Sequence, residues 1–228
     1  MVDLFEDNVM ETGLGNQVIL LYGRAKVGKT TLASEFPNPV FLATESGHGY
    51  LKKKVKVCDC GSWTKFINAC KYLSKGEHDR KTVVIDTIDN LVDSCTEHIC
   101  GEQGIGHPSE LAMGKGWALV TSELRRTMTK LSLLPYTLVM VSHSVKETIE
   151  TSLGRKYDRW SIAPSGKNKG IFLNMSDMIL FIDFVKDGDT MKRVIRTKPD
   201  ASYEAGDRSG RLDAIIPLDY DKLYKQLI

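Results

Sequence analysis

The feature that most constrains this chain is the run Gly23-Arg24-Ala25-Lys26-Val27-Gly28-Lys29-Thr30, which reads G-x-x-x-x-G-K-T directly after the apolar residues 17–22. Glycines let backbone N–H groups turn inward around an anion, and the helix that follows presents its positive end to the same place. In this pattern the lysine, here Lys29, reaches the β- and γ-phosphates of a nucleotide, and the hydroxyl of Thr30 ligates Mg²⁺. The loop needs a strand before it and a helix after it. Residues 17–22 supply the first, and Thr31 to Phe36 have the composition of the second. Residues 23–31 are therefore the expected phosphate cradle.

The rest of the chain must build a sheet that holds this loop. Three further apolar, β-branched runs qualify as buried strands: 40–44, 81–86 and 137–141. Each ends in a polar side chain. Glu45 follows the first, and at the C-terminal edge of an open parallel sheet its carboxylate is placed to polarise an attacking water; a solvated strand-end glutamate is the simpler alternative. Asp86 closes the second, where phosphate-loop proteins hold Mg²⁺. Asp89, one turn further on, reads instead as a cap or a solvent-facing acid. His143 follows the third, either as a sensor of the γ-phosphate or as a strand-end histidine without a duty.

Two stretches lack periodicity. Residues 101–116 carry five glycines and a proline and read as a long mobile loop. Residues 145–170 also read as a loop. There Lys146, Arg155, Lys156, Arg159, Lys167 and Lys169 outnumber Glu147, Glu150 and Asp158, with Tyr157 and Trp160 interleaved. Cations that track phosphates and rings that stack on bases suit single-stranded nucleic acid, whereas a solvated basic loop anchored by Trp160 is the other reading.

The remaining segments are conventional. Residues 62–74 have the spacing of an amphipathic helix behind a serine cap, and a helix is expected over 117–134. Residues 178–185 and 191–197 form a hairpin about the turn 186–189, and a helical stretch covers 219–227. Lysines 52–54 and 56 read as a protected sheet edge. Residues 1–16 form a polar arm, where Phe5 beside Leu4 packs on its own chain or a neighbour, and 17–228 form one domain.

Composition narrows function by exclusion. With 31 basic and 29 acidic residues the net charge is +2, so a polyanion partner needs a local patch. Five cysteines without a C-x-x-C pair fit a reducing compartment, and Cys58 and Cys60 with His98 or Cys100 do not match common zinc knuckles. No apolar run is long enough to span a bilayer and no basic leader precedes one, so the expectation is a cytoplasmic protein without a membrane partner.

In order, these segments resemble the RecA-like recombinase ATPase core, and more closely the compact single-domain RecA-like proteins of bacteriophages, which act with single-strand binding or annealing proteins. The resemblance runs from about residue 17 to 223. It rests on GRAKVGKT, FLATESG, TVVIDTIDNL, GKGW, VSHS, KYDRW, and RTKPD with AGDRSGRL. It implies an α/β fold, with a mostly parallel central sheet flanked by helices and a C-terminal antiparallel hairpin extension.

The resemblance also implies ATP and Mg²⁺ as cofactors, with Lys29, Thr30 and Asp86 holding them and Glu45 activating water. It assigns the stretches around 101–116 and 144–170 to single-stranded DNA. His143 stands where bacterial RecA has a switch glutamine, and Arg196 and Lys198 resemble cations inserted into a neighbouring subunit's site, which implies a homo-oligomeric ring or short filament. The implied activity is DNA-stimulated ATP hydrolysis in phage recombination, by annealing or strand exchange. A small-molecule or nucleoside kinase and a nucleotide-gated loader share the phosphate loop and are the competing classes.

Overall fold

The computed structural model describes residues 13–228. In chain order the elements are β1 (Val18–Gly23), α1 (Lys29–Ser34), β2 (Pro39–Ala43), β3 (Lys56–Asp59), α2 (Trp63–Leu73), β4 (Thr82–Asp86), α3 (Ile88–Gln103), α4 (Lys115–Ser132), β5 (Thr137–Glu150), β6 (Lys156–Ile162), α5 (Gly166–Met175), β7 (Met178–Asp187), β8 (Thr190–Arg196), β9 (Gly206–Asp207), β10 (Ile215–Pro217) and α6 (Tyr220–Tyr224). The sheet runs β10-β8-β7-β1-β5-β4-β2-β3, with β6 beside β5 and β9 beside β7. Strands β7, β1, β5, β4, β2 and β3 are parallel, and the C-terminal β8 and β10 add antiparallel to one edge. This is the expected α/β architecture.

The inner strands are apolar without alternation because both faces are covered. Leu20 and Tyr22 of β1 point into a layer with Phe66 of α2, Leu91 of α3, Leu124 of α4 and Phe172 of α5. Ile19 and Leu21 point the other way, against Leu32 and Phe36 around α1 and Leu223 of α6. Register then fixes what emerges at the C-terminal edge. Gly23 lies opposite His143 on one side and Ile182 on the other, and Ala43 lies opposite Asp86. The phosphate loop, Glu45, Asp86 and His143 thus leave the sheet along one rim.

Several local expectations hold. Ser62 caps α2 by accepting from the Lys65 amide. The β7–β8 hairpin closes over two residues, with Gly188 at φ 60 making the left-handed step. β3 is the sheet edge, although Lys52, Lys53 and Lys54 precede it in an exposed turn. At the chain ends, residues 1–12, including Leu4 and Phe5, lie outside the described residues; Leu14 packs in the core and the Gly13 amide donates to the Leu227 carbonyl.

Three expectations need correction. The stretch 101–116 is no long loop: α3 continues to Gln103, Gly104 ends it at φ 65, and two short 3₁₀ turns lead into α4 at Lys115. The connection folds tightly onto α4, since a Cβ on Gly116 would stand 2.2 Å from the Pro108 carbonyl oxygen. Glycine there serves close approach rather than mobility. The stretch 145–170 is not a loop either. It is a β5–β6 ribbon paired from Ser144–Ile162 to Glu150–Lys156, followed by α5. Finally, the terminal helix is shorter than 219–227, covering Tyr220–Tyr224 behind the cap Asp219.

Two glycines test this arrangement with opposite signs. A Cβ on Gly23 would meet the Ile182 carbonyl oxygen at 2.5 Å and wedge β1 from β7, so Gly23→Ala should lower stability by about 1–3 kcal/mol. Gly101 sits in helical backbone with nothing within 4 Å of its Cβ position, so Gly101→Ala should raise stability by about 0.5–1 kcal/mol. Urea unfolding midpoints measure both. A neutral Gly23→Ala would contradict the strand packing, and a neutral Gly101→Ala would contradict helix at that position.

Candidate nucleotide site

The phosphate loop is a shaped backbone. Lys26 at φ 62 and Gly28 at φ 114 take left-handed conformations within it, the alternation that turns successive N–H groups toward one point. Its underside rests on the C-terminal extension. The Arg193 guanidinium donates to the Val27 carbonyl at 3.4 Å, and a Cβ on Gly28 would stand 2.9 Å from Leu218 and 3.0 Å from Arg193. Lys29 is buried, and its ammonium donates to the Gly23 and Arg24 carbonyls at 2.9 Å each. Burial lowers its pKa, while Asp86, Asp89 and Glu45 pull the other way. Those three carboxylates and the lysine therefore share one electrostatic site. Thr30 is half-buried and Thr31 exposed at the start of α1.

Thr44 ties the ends of β2 and β4 together. Its hydroxyl donates to the Thr87 carbonyl at 2.8 Å and accepts from the Thr87 amide at 2.7 Å, and its own amide donates to the Asp86 carbonyl. Glu45, the next residue, is thereby held beside Asp86 with its carboxylate exposed to solvent, accepting from Asn90 Nδ2 at 3.4 Å. Asp86 is 2% exposed, and its Oδ1 has no hydrogen-bond partner; neither has the buried hydroxyl of Thr87. A buried carboxylate oxygen without a donor is costly unless a cation completes it. The Asp86 carboxylate therefore fits a divalent cation such as Mg²⁺.

Asp89 is the residue that sequence reasoning misplaced. It neither caps nor faces solvent: one carboxylate oxygen accepts from the Ser142 hydroxyl at 2.5 Å, and the other accepts from the His143 amide and from His143 Nδ1, both at 2.8 Å. The first turn of α3 thus clamps the end of β5. The signal was the Asp86-to-Asp89 spacing, which puts the second acid on the helix start facing the strand tips.

Arg24, expected only as part of the phosphate cradle, has a side-chain role that sequence reasoning missed. Its guanidinium lies 5.0 Å over the Trp160 ring of β6, a cation–π contact between the phosphate loop and the ribbon. Trp160 packs against the core. Below it, the Tyr22 hydroxyl donates to the Glu204 carbonyl and accepts from the Glu204 amide at 3.0 Å, and burial pushes this phenol's pKa upward. The Glu204 carboxylate accepts from the Ser161 hydroxyl and pairs with Arg159 at 3.0 Å and Lys169 at 3.3 Å.

Arg196 and Lys198 have partners within the chain. Arg196 pairs with Asp183 at 3.2 Å and lies over the Tyr203 ring, and Lys198 pairs with Asp207 at 3.7 Å. Neither has a hydrogen bond or ion pair to the phosphate loop among the described residues. No group of three His, Cys, Asp or Glu side chains forms a metal cluster among them, so Cys58, Cys60, His98 and Cys100 do not come together as one. Among the described residues no helix is long and apolar enough to cross a membrane.

With this geometry in place, the comparisons with known proteins are specific about the class. The chain belongs to the AAA domain family, which matches residues 15–209, and it is thus a member of a P-loop ATPase family. A KaiC-like protein of the archaeon Pyrococcus horikoshii shares the fold, with a TM-score of 0.51 and 16% identity over 89% of this chain and 85% of that one. An uncharacterized protein derived from the SPbeta prophage of Bacillus subtilis (strain 168), YorG, is 25% identical over a 182-residue alignment that covers 77% of this chain and 56% of YorG. This chain thus matches only about half the length of that curated relative.

The Asp89 clamp carries a measurable share of stability. Asp89→Ala leaves two His143 donors without their acceptor and the Ser142 hydroxyl with only the His143 carbonyl at 3.0 Å, so it should cost about 2–3 kcal/mol, with Asp89→Asn costing less because its amide oxygen still accepts. Urea denaturation gives the values. A loss below about 0.5 kcal/mol for the alanine variant would mean that the clamp is an incidental contact.

Proposed function

We propose that this protein is a Mg²⁺-dependent ATPase, stimulated by single-stranded DNA, that assembles on that DNA as a homo-oligomer and promotes annealing or strand exchange in phage recombination, with a phage single-strand binding or annealing protein as partner. The observation that carries the reading is the continuity of β5. The strand lies beside β1 in the core, is buried through Ser142, meets the Asp89 clamp at Ser142 and His143, and runs on unbroken into the exposed ribbon. A change felt at His143 therefore has a stiff path outward, and Arg24 on Trp160 adds a second. The likeness to a prophage-derived protein supports the phage setting.

In this reading Lys29 exchanges its carbonyl partners for the β- and γ-phosphates, and the loop amides of residues 24–30 cradle them. A bound Mg²⁺ would offset charge on the phosphates, and Thr30 and Asp86 would hold it. Glu45, exposed at the rim, orients the attacking water and takes its proton. The Asp89 carboxylate fixes the His143 tautomer with the proton on Nδ1, which leaves Nε2 as an acceptor for sensing the γ-phosphate or its water. Arg196 and Lys198 act across a subunit boundary, which requires them to exchange Asp183 and Asp207 for a neighbour's phosphates.

The ribbon's charges qualify the DNA surface. Lys146 pairs with Asp158, Lys156 with Glu150, and Arg159 and Lys169 with Glu204. The first two pairs are exposed and weak, so phosphates compete for them readily. Arg155 and Lys167 have no ion-pair partner among the described residues, and Tyr157 is exposed for stacking. Trp160, held under Arg24, anchors the ribbon instead. These pairings favour a second reading, a nucleotide-gated loader whose nearly charge-balanced ribbon grips a protein.

ATP turnover with and without single-stranded DNA separates the two. DNA should raise the wild-type rate, Lys29→Ala should bind no nucleotide, and Glu45→Gln should bind ATP, remain on DNA and hydrolyse about 10²-fold more slowly or worse. No stimulation together with no ATP-dependent DNA binding would remove the recombination reading. Phosphate transfer to a small acceptor would establish a kinase.

A further inference from the structure

The side chain of His48 reaches the Asp86 carboxylate. The residue lies on a single 3₁₀ turn, His48–Tyr50, that follows Glu45. The ring packs edge-on against Phe41, with centroids 5.2 Å apart, so its direction is set by the core. The side chain is 10% exposed and that of Asp86 3%. Between His48 Nε2 and Asp86 Oδ2 the distance is 3.6 Å. Nε2 is buried without a hydrogen-bond partner, as are Asp86 Oδ1 and the hydroxyl of the adjacent Thr87.

A gap of 3.6 Å is too long for a hydrogen bond. It is close to the separation of two ligands on one cation, since bonds of about 2.1 Å meeting at roughly 90–110° put their donor atoms roughly 3.0–3.5 Å apart. A ring held in place by Phe41, with an unpartnered nitrogen facing an under-coordinated carboxylate, is a prepared ligand pair. The same chemistry sets the preference among metals. Mg²⁺ favours oxygen ligands and retains its waters, whereas imidazole suits later divalent ions.

We propose that His48 is a nitrogen ligand, beside Asp86, to the divalent cation at the nucleotide's phosphates, and that it shifts this site's preference from Mg²⁺ toward Mn²⁺. The inference rests on the nucleotide–metal reading above and adds one ligand to it.

The test is pulsed electron paramagnetic resonance of Mn²⁺ bound to the whole chain with a methylene-bridged ATP analogue, using protein labelled with ¹⁵N at histidine. Wild type should show coupling from a directly bound ¹⁵N nucleus, and both His48→Gln and His48→Ala should lose it. In competition titrations His48→Gln should also reduce the preference for Mn²⁺ over Mg²⁺ by about tenfold, which reads the ligand independently of activity. Mn²⁺ bound with the nucleotide but without ¹⁵N coupling in wild type, or coupling that survives in a folded His48→Gln variant, overturns the proposal and leaves the nucleotide site standing. Failure of wild type to bind Mn²⁺ and analogue together overturns both.

Discussion

The arrangement depends on one carboxylate. Asp89, placed on the first turn of α3, accepts from the side chain of Ser142 and from both the backbone and the ring of His143. Charged hydrogen bonds in a partly dry setting are stronger than neutral ones. These three join the helix behind Asp86 to the strand beside the phosphate loop. Without them the buried part of β5 would still be a sheet strand, but His143 would have no fixed position relative to Lys29, Glu45 and Asp86. The clamp turns four strand ends, aligned by parallel register, into one site.

A second set of contacts makes that site more than a pocket. The Tyr22 hydroxyl, one residue before the loop, bonds to both backbone groups of Glu204, and the Glu204 carboxylate gathers Ser161, Arg159 and Lys169. Tyr22, Phe181 and Tyr203 stack in series with centroids 4.8 and 5.3 Å apart, and Arg196 closes the series over Tyr203. The base of the ribbon, the C-terminal hairpin and the entry to the phosphate loop are thus packed as a unit. Small shifts in such a unit pass on as rigid displacement, because close-packed interiors have little slack.

Much of this was legible in the sequence. The inner strands stand out because burial on both faces demands unbroken apolar runs, and the glycine-lysine-threonine loop because few other sequences turn backbone amides inward. What escaped did so for physical reasons. Beyond its base, where Trp160 and Ile162 pack inward, the β5–β6 ribbon is largely exposed and carries no apolar alternation; its pairing is written in cross-strand partners such as Glu150 with Lys156 and Thr148 with Asp158, which a linear reading takes for a charged loop. The stretch 101–116 looked mobile because of its glycines, but Gly104 ends a helix and Gly116 admits Pro108. Asp89, Arg24 and His48 gain their meaning only from partners that lie distant in the chain: Ser142, Trp160 and Asp86.

The central claim is that nucleotide bound at the loop is felt in the ribbon through β5. Hydrogen exchange over residues 144–162, with and without a non-hydrolysable ATP analogue and with no DNA present, tests it most directly. The account predicts that analogue binding changes amide protection along the ribbon as well as in residues 23–31. Protection confined to the phosphate loop, with the ribbon unchanged, would contradict it.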